Sequence, residues 1–312
     1  MNTLRRALQE YLELRRGLGF KLDTLEHLAG QYCDWLAAHG KTDSFNLDDA
    51  ITWARLPADA AHHWWGMRLG AIRTFAAYLN ATGFDVPIIP AGLLPATSRR
   101  AAPYIYSQHD LDRLLATCRA TFSNERIAAT MHTIVGLLAV TGLRIGEALQ
   151  LSVPDLDSGN NVLLVQAGKS PLDRYLPLDP TTTTALVSYL ALPARTATQP
   201  DPDGPIFVTS RGRRYERSTI ELYFQQLARA AGLHPHGRSR PRLHDLRHTF
   251  ATAHMVAAYQ SEGDPQRTLT LLATWLGHTS AAHTYWYLTA TPQLMAAAAR
   301  RLQPAPSESD LP

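Results

Sequence analysis

Six side chains in the last two-thirds of the chain have the types needed to make and reopen an ester at a tyrosine. They are Arg144, Lys169, His244, Arg247, His278 and Tyr287. A neutral phenol is a poor nucleophile, but its oxygen forms a covalent ester when a base and a charge clamp surround it. The densest stretch is Arg242–Tyr287. It holds Leu243-His244-Asp245-Leu246-Arg247-His248, then Leu276-Gly277-His278, and nine residues past that histidine, Tyr287. His244 and Arg247 are three apart, which places both on one face of a helix. Two pieces lie upstream. One is Thr141-Gly142-Leu143-Arg144-Ile145-Gly146-Glu147. The other is Gly168-Lys169, followed by Arg174-Tyr175-Leu176-Pro177-Leu178.

In this order and spacing the residues resemble the tyrosine recombinase (phage integrase) family of DNA-breaking and rejoining enzymes. The family pattern of Arg, Lys, His-x-x-Arg, His and Tyr is filled at all six positions, between Arg144 and Tyr287. The first third of the chain matches only in architecture. The resemblance implies double-stranded DNA as substrate and Tyr287 as nucleophile, giving a 3′-phosphotyrosyl bond and a free 5′-hydroxyl. A 5′-hydroxyl of a partner strand then reverses the step. It implies that Lys169, on a hairpin, protonates the departing 5′ oxygen, that His278 hydrogen-bonds the scissile phosphate, and that His244 completes the catalytic set. Bond energy stays in the ester, so no ATP, metal or other cofactor is implied. Four protomers on two duplexes are. The run Tyr285–Pro292 looks most like members carried by transposon-type elements. Leu288 stands where many members have Thr and then His, a departure that does not touch the chemistry.

The residue types fit on physical grounds as well. Charge grows on the non-bridging oxygens of a phosphodiester as a nucleophile arrives. Two guanidiniums, Arg144 and Arg247, meet it with forked geometry and permanent charge. Lysine occurs only at positions 21, 41 and 169, so Lys169 stands out from an arginine background. A leaving alkoxide needs a proton donor within hydrogen-bond reach. Glu147 lies one helical turn past Arg144 and can orient an arginine or histidine. Arg211, Arg213, Arg214 and Arg217, with Arg238, Arg240 and Arg242, form the densest basic stretch. Of these, Arg211, Arg213, Arg214, Arg240 and Arg242 are candidate DNA-backbone contacts. Which bases are read is not encoded in such contacts.

Other readings of the same residues stand beside this one. Tyr285 competes with Tyr287 as nucleophile, and the distance from the Leu-Gly-His turn favours Tyr287. His244 and His248 have the four-residue spacing of a zinc pair. Asp245 then replaces the glutamate of a metalloprotease, and Arg247 would sit beside the dication. A topoisomerase-like enzyme that relaxes supercoils, or a DNA-binding protein without catalysis, would share much of the pattern.

The rest of the chain must position these groups. Its 312 residues are 45% hydrophobic and 18% charged, with a net charge of +3, the composition of a globular protein of about two domains. The mild positive charge permits nucleic acid as a partner without demanding it. Two cysteines, Cys33 and Cys118, supply no disulfide framework, which fits a reducing cytoplasm. Behind Met1–Arg6 there is no apolar run of signal-peptide length, and no stretch approaches a membrane span. The expectation is a cytoplasmic, nucleoid-associated protein.

The fold expected is mainly α with a small β-sheet (α+β). Residues 1–85 read as a bundle of four helices, a DNA-gripping domain by resemblance, with Arg5, Arg6, Arg15, Arg16, Arg68 and Arg73 able to line one side. Residues 86–103 read as a proline-rich linker, either a clamp hinge or a mere spacer. Residues 104–303 read as the catalytic domain, and 304–312 as a loose tail. Within the catalytic domain a buried helix spans Asn124–Val140. Strands are expected at Asn161–Gln166 and Arg174–Leu178, and a loop at Pro193–Pro205. A second hairpin is expected around Ser210–Arg213, and helices at His244–Tyr259, Pro265–Trp275 and Ala281–Tyr287. A last helix, with Pro292 at its first position, is a candidate for docking onto a neighbouring protomer.

Overall fold

The computed structural model describes residues 3–42, 44–95, 102–166, 173–235, 239–261, 263–278 and 292–302. Lys169, Arg238, Tyr285, Tyr287, the helix expected at Ala281–Tyr287 and the tail lie outside the described residues. The chain divides into two bodies, Met1–Arg100 and Ala101–Pro312.

The first body is built from α1 (Thr3–Gly17), α2 (Asp23–Ala38), α3 (Leu47–Arg55) and α4 (His62–Ala81). The apolar positions three and four apart turn inward as their spacing requires. Leu4, Leu8, Tyr11, Leu28, Tyr32 and Leu36 meet Trp53, Ile72, Phe75 and Leu79 in one core. Asn46 caps α3 by accepting the Asp49 N–H at 2.8 Å. The proline-rich stretch adds Val86, Ile89 and Leu94 to the same core. Prolines forbid a helix there, but an extended backbone still presents apolar side chains for burial.

The arginines of this body are not one free stripe. Arg5 lies 3.4 Å from Asp34, Arg6 3.6 Å from Glu10, and Arg16 pairs with Glu26. Arg68 is buried, donates to the Trp53 carbonyl at 2.9 Å and stacks 3.7 Å over the Trp53 ring. Arg73 remains exposed.

The second body is organised around α6 (Glu125–Thr141). Its Met131, Ile134, Val135 and Leu138 are buried on several sides. Asn124 caps it, and α5 (Gln108–Thr121) begins with a capping box between Ser107 and Asp110. After Gly142 comes the short α7 (Ile145–Gln150), then a 3-10 turn at Val153–Asp155. Three antiparallel strands follow in the order β1 (Leu156–Asp157), β2 (Val162–Val165), β3 (Arg174–Pro177). Leu163 faces Leu176 and Val165 faces Arg174.

Helices α8 (Pro180–Leu190), α9 (Pro193–Thr196), α10 (Arg217–Ala230), α11 (Leu243–Gln260), α12 (Pro265–Leu276) and α13 (Pro292–Leu302) complete it. The described helices and small sheet are the α+β arrangement expected. Two local readings differ. The Pro193–Pro205 loop contains α9, because Arg195 is buried and donates to the carbonyls of Ile206 at 2.9 Å and Pro205 at 3.0 Å. In place of a second hairpin there is a single bridge, Val208 to Arg214, closing a tight turn at Gly212. Helix α13 packs on its own chain. Leu294 joins the cluster of Phe250, Met255 and Leu272, and Arg301 donates to the Gly263 carbonyl at 2.8 Å and to that of Ser261.

Gly142 ends α6 in the left-handed region, at φ 65°. A Cβ there would stand 2.6 Å from Phe250 and 3.0 Å from Leu276. Gly142→Ala should therefore lower stability by roughly 1–3 kcal/mol, through backbone strain and overpacking together. Gly146→Ala, inside α7 with nothing within 4 Å of the added Cβ, should be neutral or stabilising by up to about 1 kcal/mol. Urea unfolding of the two variants checks this. Equal effects would refute the close approach at Gly142.

Candidate active site

Two helix N-termini and one strand meet at Glu147. Arg144 sits immediately before α7, and its backbone N–H donates to Glu147 Oε2 at 2.9 Å. Its Nη1 donates to Glu147 Oε1 at 2.7 Å. From β3, Arg174 Nη2 reaches Oε2 at 2.8 Å. Arg247, on the first turns of α11, lies 4.0 Å from the same oxygen. One nearly buried carboxylate thus gathers three guanidiniums. Burial by itself disfavours the charged form of Glu147. The Arg174 hydrogen bond, the Arg144 amide and the Arg174 charge outweigh it, and hold its carboxyl below the usual range.

Arg247 is only 1% exposed, yet it is well partnered. Nη1 donates to the Gly142 carbonyl at 3.0 Å. Nη2 donates to the Leu276 carbonyl at 2.7 Å and meets His278 Nε2 at 2.8 Å. A guanidinium can only donate, so Nε2 accepts here, which puts the hydrogen of a neutral imidazole on Nδ1. His278 follows Gly277, a left-handed residue (φ 65°, ψ 46°) that closes α12. The His278 N–H caps the helix by donating to the Ala273 carbonyl at 2.9 Å. The same end is tied down twice more. Arg174 Nε donates to the Trp275 carbonyl at 2.9 Å, and Trp275 Nε1 donates to the Thr141 carbonyl at 2.8 Å.

His244 stands at the N-terminus of α11, open to solvent on one side, with its ring edge-to-face against His248 at 5.0 Å. Burial of the rest of the ring lowers its pKa. The positive charges of Arg247, Arg242, Arg144 and Arg217 push further the same way, to about 4. At neutral pH it is an uncharged imidazole, able to accept a proton. Among the described residues no three metal-ligating side chains converge.

The other arginines marked in the sequence are placed differently. Arg242 forms a two-point pair with the fully buried Asp245, Nε at 3.0 Å and Nη2 at 2.8 Å. Burial raises the Asp245 pKa, and the Arg242 contacts work against that. Arg214 turns inward to the carbonyls of Leu149 at 2.8 Å and Leu151 at 3.1 Å, and to the Ser152 hydroxyl at 2.7 Å. Arg211, Arg213 and Arg240 are exposed. The structure brings together Arg144, Glu147, Arg247 and His278, with His244 on the helix that carries Arg247. Lys169 and Tyr287 lie outside the described residues. Arg174 is the member of the cluster that the sequence reading passed over. Its signal was there: residues two apart share a strand face. Arg174 therefore lies on the same inward face as Leu176 and Leu178, and a core-facing arginine must find a carboxylate or carbonyls.

Comparisons with known proteins place the chain in a family and match its fold. The profile of the phage integrase family matches residues 105–293. A protein of Sinorhizobium fredii (strain NBRC 101917 / NGR234) named as integrase/recombinase y4rB is 39% identical over 97% of this chain and 98% of its own length. Two solved structures share the fold. The Tn1549 transposon integrase in complex with transposon right-end DNA has a TM-score of 0.63 and 17% identity, covering 96% of this chain and 99% of its own. A lambda integrase tetramer bound to a Holliday junction has a TM-score of 0.59 and 16% identity, covering 91% and 76%. The fold is that of the site-specific DNA recombinases. The chain belongs to the phage integrase family.

Two outcomes follow from this geometry. Arg247→Ala strands the Gly142 carbonyl, leaves that of Leu276 only a 3.5 Å contact with Arg144, and should cost roughly 2–4 kcal/mol of stability. Arg144→Ala leaves Glu147 its Arg174 contact and should cost under about 1 kcal/mol. Thermal unfolding separates them, and a reversed order would contradict the placement. For His244, the unfolded chain binds the proton more tightly than the folded one. Stability present above the ordinary histidine value of 6.5 is therefore lost as pH falls from there towards about 4. An NMR titration of the ring should give a midpoint well below 6 without DNA and a higher one with DNA bound. A midpoint near 6.5 without DNA would mean that the surrounding guanidiniums do not act on it.

Proposed function

We propose that this protein recombines DNA at specific sites through a 3′-phosphotyrosyl intermediate made by Tyr287. The observation that carries the proposal is the convergence of Arg144 and Arg247 on the single carboxylate of Glu147, with His278, from a third segment, on Arg247. Such a cluster has surplus positive charge and hydrogen-bond donors, and suits a phosphate. In the forward step the Tyr287 oxygen bonds to phosphorus, the bond to the 5′ oxygen breaks, and Lys169 supplies the proton that oxygen needs. His244, neutral at working pH, accepts the phenol proton. Arg144, about a quarter exposed, presents its guanidinium to a phosphate oxygen. Arg247 holds the helix ends that frame the site, and an incoming phosphate oxygen can replace the His278 ring on its Nη2. Loss of one donor at a developing charge costs roughly 2.7–4 kcal/mol of barrier.

The assembly proposed is a homo-tetramer on two duplexes. The lambda integrase structure, a tetramer on a Holliday junction, supports this reading. Integration, excision and transposition are the biological settings this chemistry serves, in the cytoplasm with the nucleoid. Exposed Arg211, Arg213 and Arg240 are the proposed backbone contacts. Arg242 and Arg214, which are engaged within the protein, contribute less.

Protein incubated with total genomic DNA should yield an adduct that resists denaturation by detergent. Tyr287→Phe should abolish it, and Tyr285→Phe should not. Sequencing the DNA ends attached to the protein identifies the site. An adduct that persists in Tyr287→Phe would end the proposal.

A further inference from the structure

We propose that Arg174 is a positioning residue for strand cleavage, acting on proton delivery to the leaving 5′ oxygen. The inference rests on the reading of Lys169 as the proton donor. Arg174 opens β3, and its register partner is Val165, the last residue of β2. That pair is the base of the hairpin whose intervening sequence carries Lys169, four residues past Val165 and five before Arg174. β1 pairs with β2 only at Val162 and Leu163, so the ladder is two-stranded at Val165 and Arg174; two strands alone are marginally stable, and a contact outside the ladder must set where this end stands.

Arg174 does this with both ends of its guanidinium. Nη2 bonds Glu147, which also holds Arg144, and Nε bonds the carbonyl of Trp275, two residues before Gly277 and the His278 turn. The hairpin base, the arginine of α7 and the end of α12 are thus fixed to one another through a single planar group. The side chain is about one-tenth exposed and turns both contacts inward. That geometry suits holding the frame rather than touching DNA. Lysine could not reproduce it, because an ammonium lacks the rigid fork that meets two acceptors in fixed geometry.

The step concerned is the breaking of the bond from phosphorus to the 5′ oxygen. The bonding pair goes to that oxygen, and a proton must follow. If sulfur replaces the bridging oxygen, the leaving group is a thiolate whose conjugate acid is near 8.5 rather than about 16, so it leaves without a proton. The test uses the duplex recovered from the covalent adduct, made with oxygen or with sulfur at that one position. Single-turnover cleavage and Kd are measured for wild type, Arg174→Ala, Arg174→Lys, Lys169→Ala and Arg144→Ala.

Arg174→Ala should cleave the oxygen substrate at least tenfold more slowly with Kd within about threefold of wild type, and sulfur should restore it to within about threefold. Arg174→Lys should show a smaller defect, equally restored. Lys169→Ala should be restored by sulfur and Arg144→Ala should not. A Arg174→Ala defect of the same size on both substrates, or no defect, overturns the proposal. If Arg174→Ala does not fold, as judged by its unfolding midpoint, Arg174→Lys decides in the same way. Failure of sulfur to restore Lys169→Ala would instead refute Lys169 as donor, while restoration of the Arg174 variants would still place Arg174 in proton delivery.

Discussion

Glu147 carries one negative charge into a cluster that holds three permanent positive ones. Two like charges 4 Å apart repel by about 4 kcal/mol at an effective dielectric of 20, so three arginines would not gather there without it. The carboxylate does not neutralise them. Two positive charges remain, and His244, held neutral, adds none. A phosphodiester carries one negative charge at rest and approaches two as a nucleophile adds to phosphorus. A surplus of two therefore favours the reacting species over the resting one. That is the difference in binding on which catalysis depends. Glu147 sets the surplus as much as the arginines do.

The positive charges also need partners in the protein while no phosphate is present. Those partners are backbone carbonyls at two helix ends. Helix α6 ends at Thr141 and Gly142, and α12 at Trp275 and Leu276. All four carbonyls are taken, by Trp275 Nε1, Arg247, Arg174 and again Arg247. The last carbonyls of a helix have no partner within it and mark its negative end. Two such ends, each closed by a left-handed glycine, solvate the guanidiniums as water would and in fixed positions. This explains why a nearly inaccessible Arg247 carries a charge at tolerable cost. It also ties the motif around Arg144 to the one around His278, 132 residues apart at Arg144 and Leu276.

The helices were legible because their apolar spacing and caps are local. Asn46, Ser107 and Asn124 cap α3, α5 and α6, and Gly142 and Gly277 end α6 and α12. Arg144, Arg247 and His278, which the structure brings together, stood out for a different reason, the order and spacing of unusual types. What could not be read was pairing. Six arginines in the first body looked equivalent, but acids one turn away or on another helix engage Arg5, Arg6 and Arg16, and an indole face takes Arg68. Arg214 looked like its neighbours Arg211 and Arg213, yet a single strand bridge turns it inward to α7. Exposed ion pairs are worth under about 1 kcal/mol and can be exchanged for a phosphate. Arg68 and Arg214 cannot be exchanged in that way, because their acceptors are backbone carbonyls within the fold.

Glu147 and His244 each keep one protonation state across the neutral range. Arginines do not lose their protons there. Glu147 is held charged by Arg174 and Arg144 against its own burial, and His244 is held uncharged first by burial and then by Arg247, Arg242, Arg144 and Arg217. Arg144 acts on both, favouring the charged acid and the uncharged base together. A platform of this kind needs no rearrangement of protons when DNA arrives, apart from a rise in the basicity of His244 as the phosphate offsets its neighbours. On the proposed reading of His244 as the base, the arriving phosphate strengthens it before it is needed, since the substrate offsets the cationic part of what depresses the imidazole.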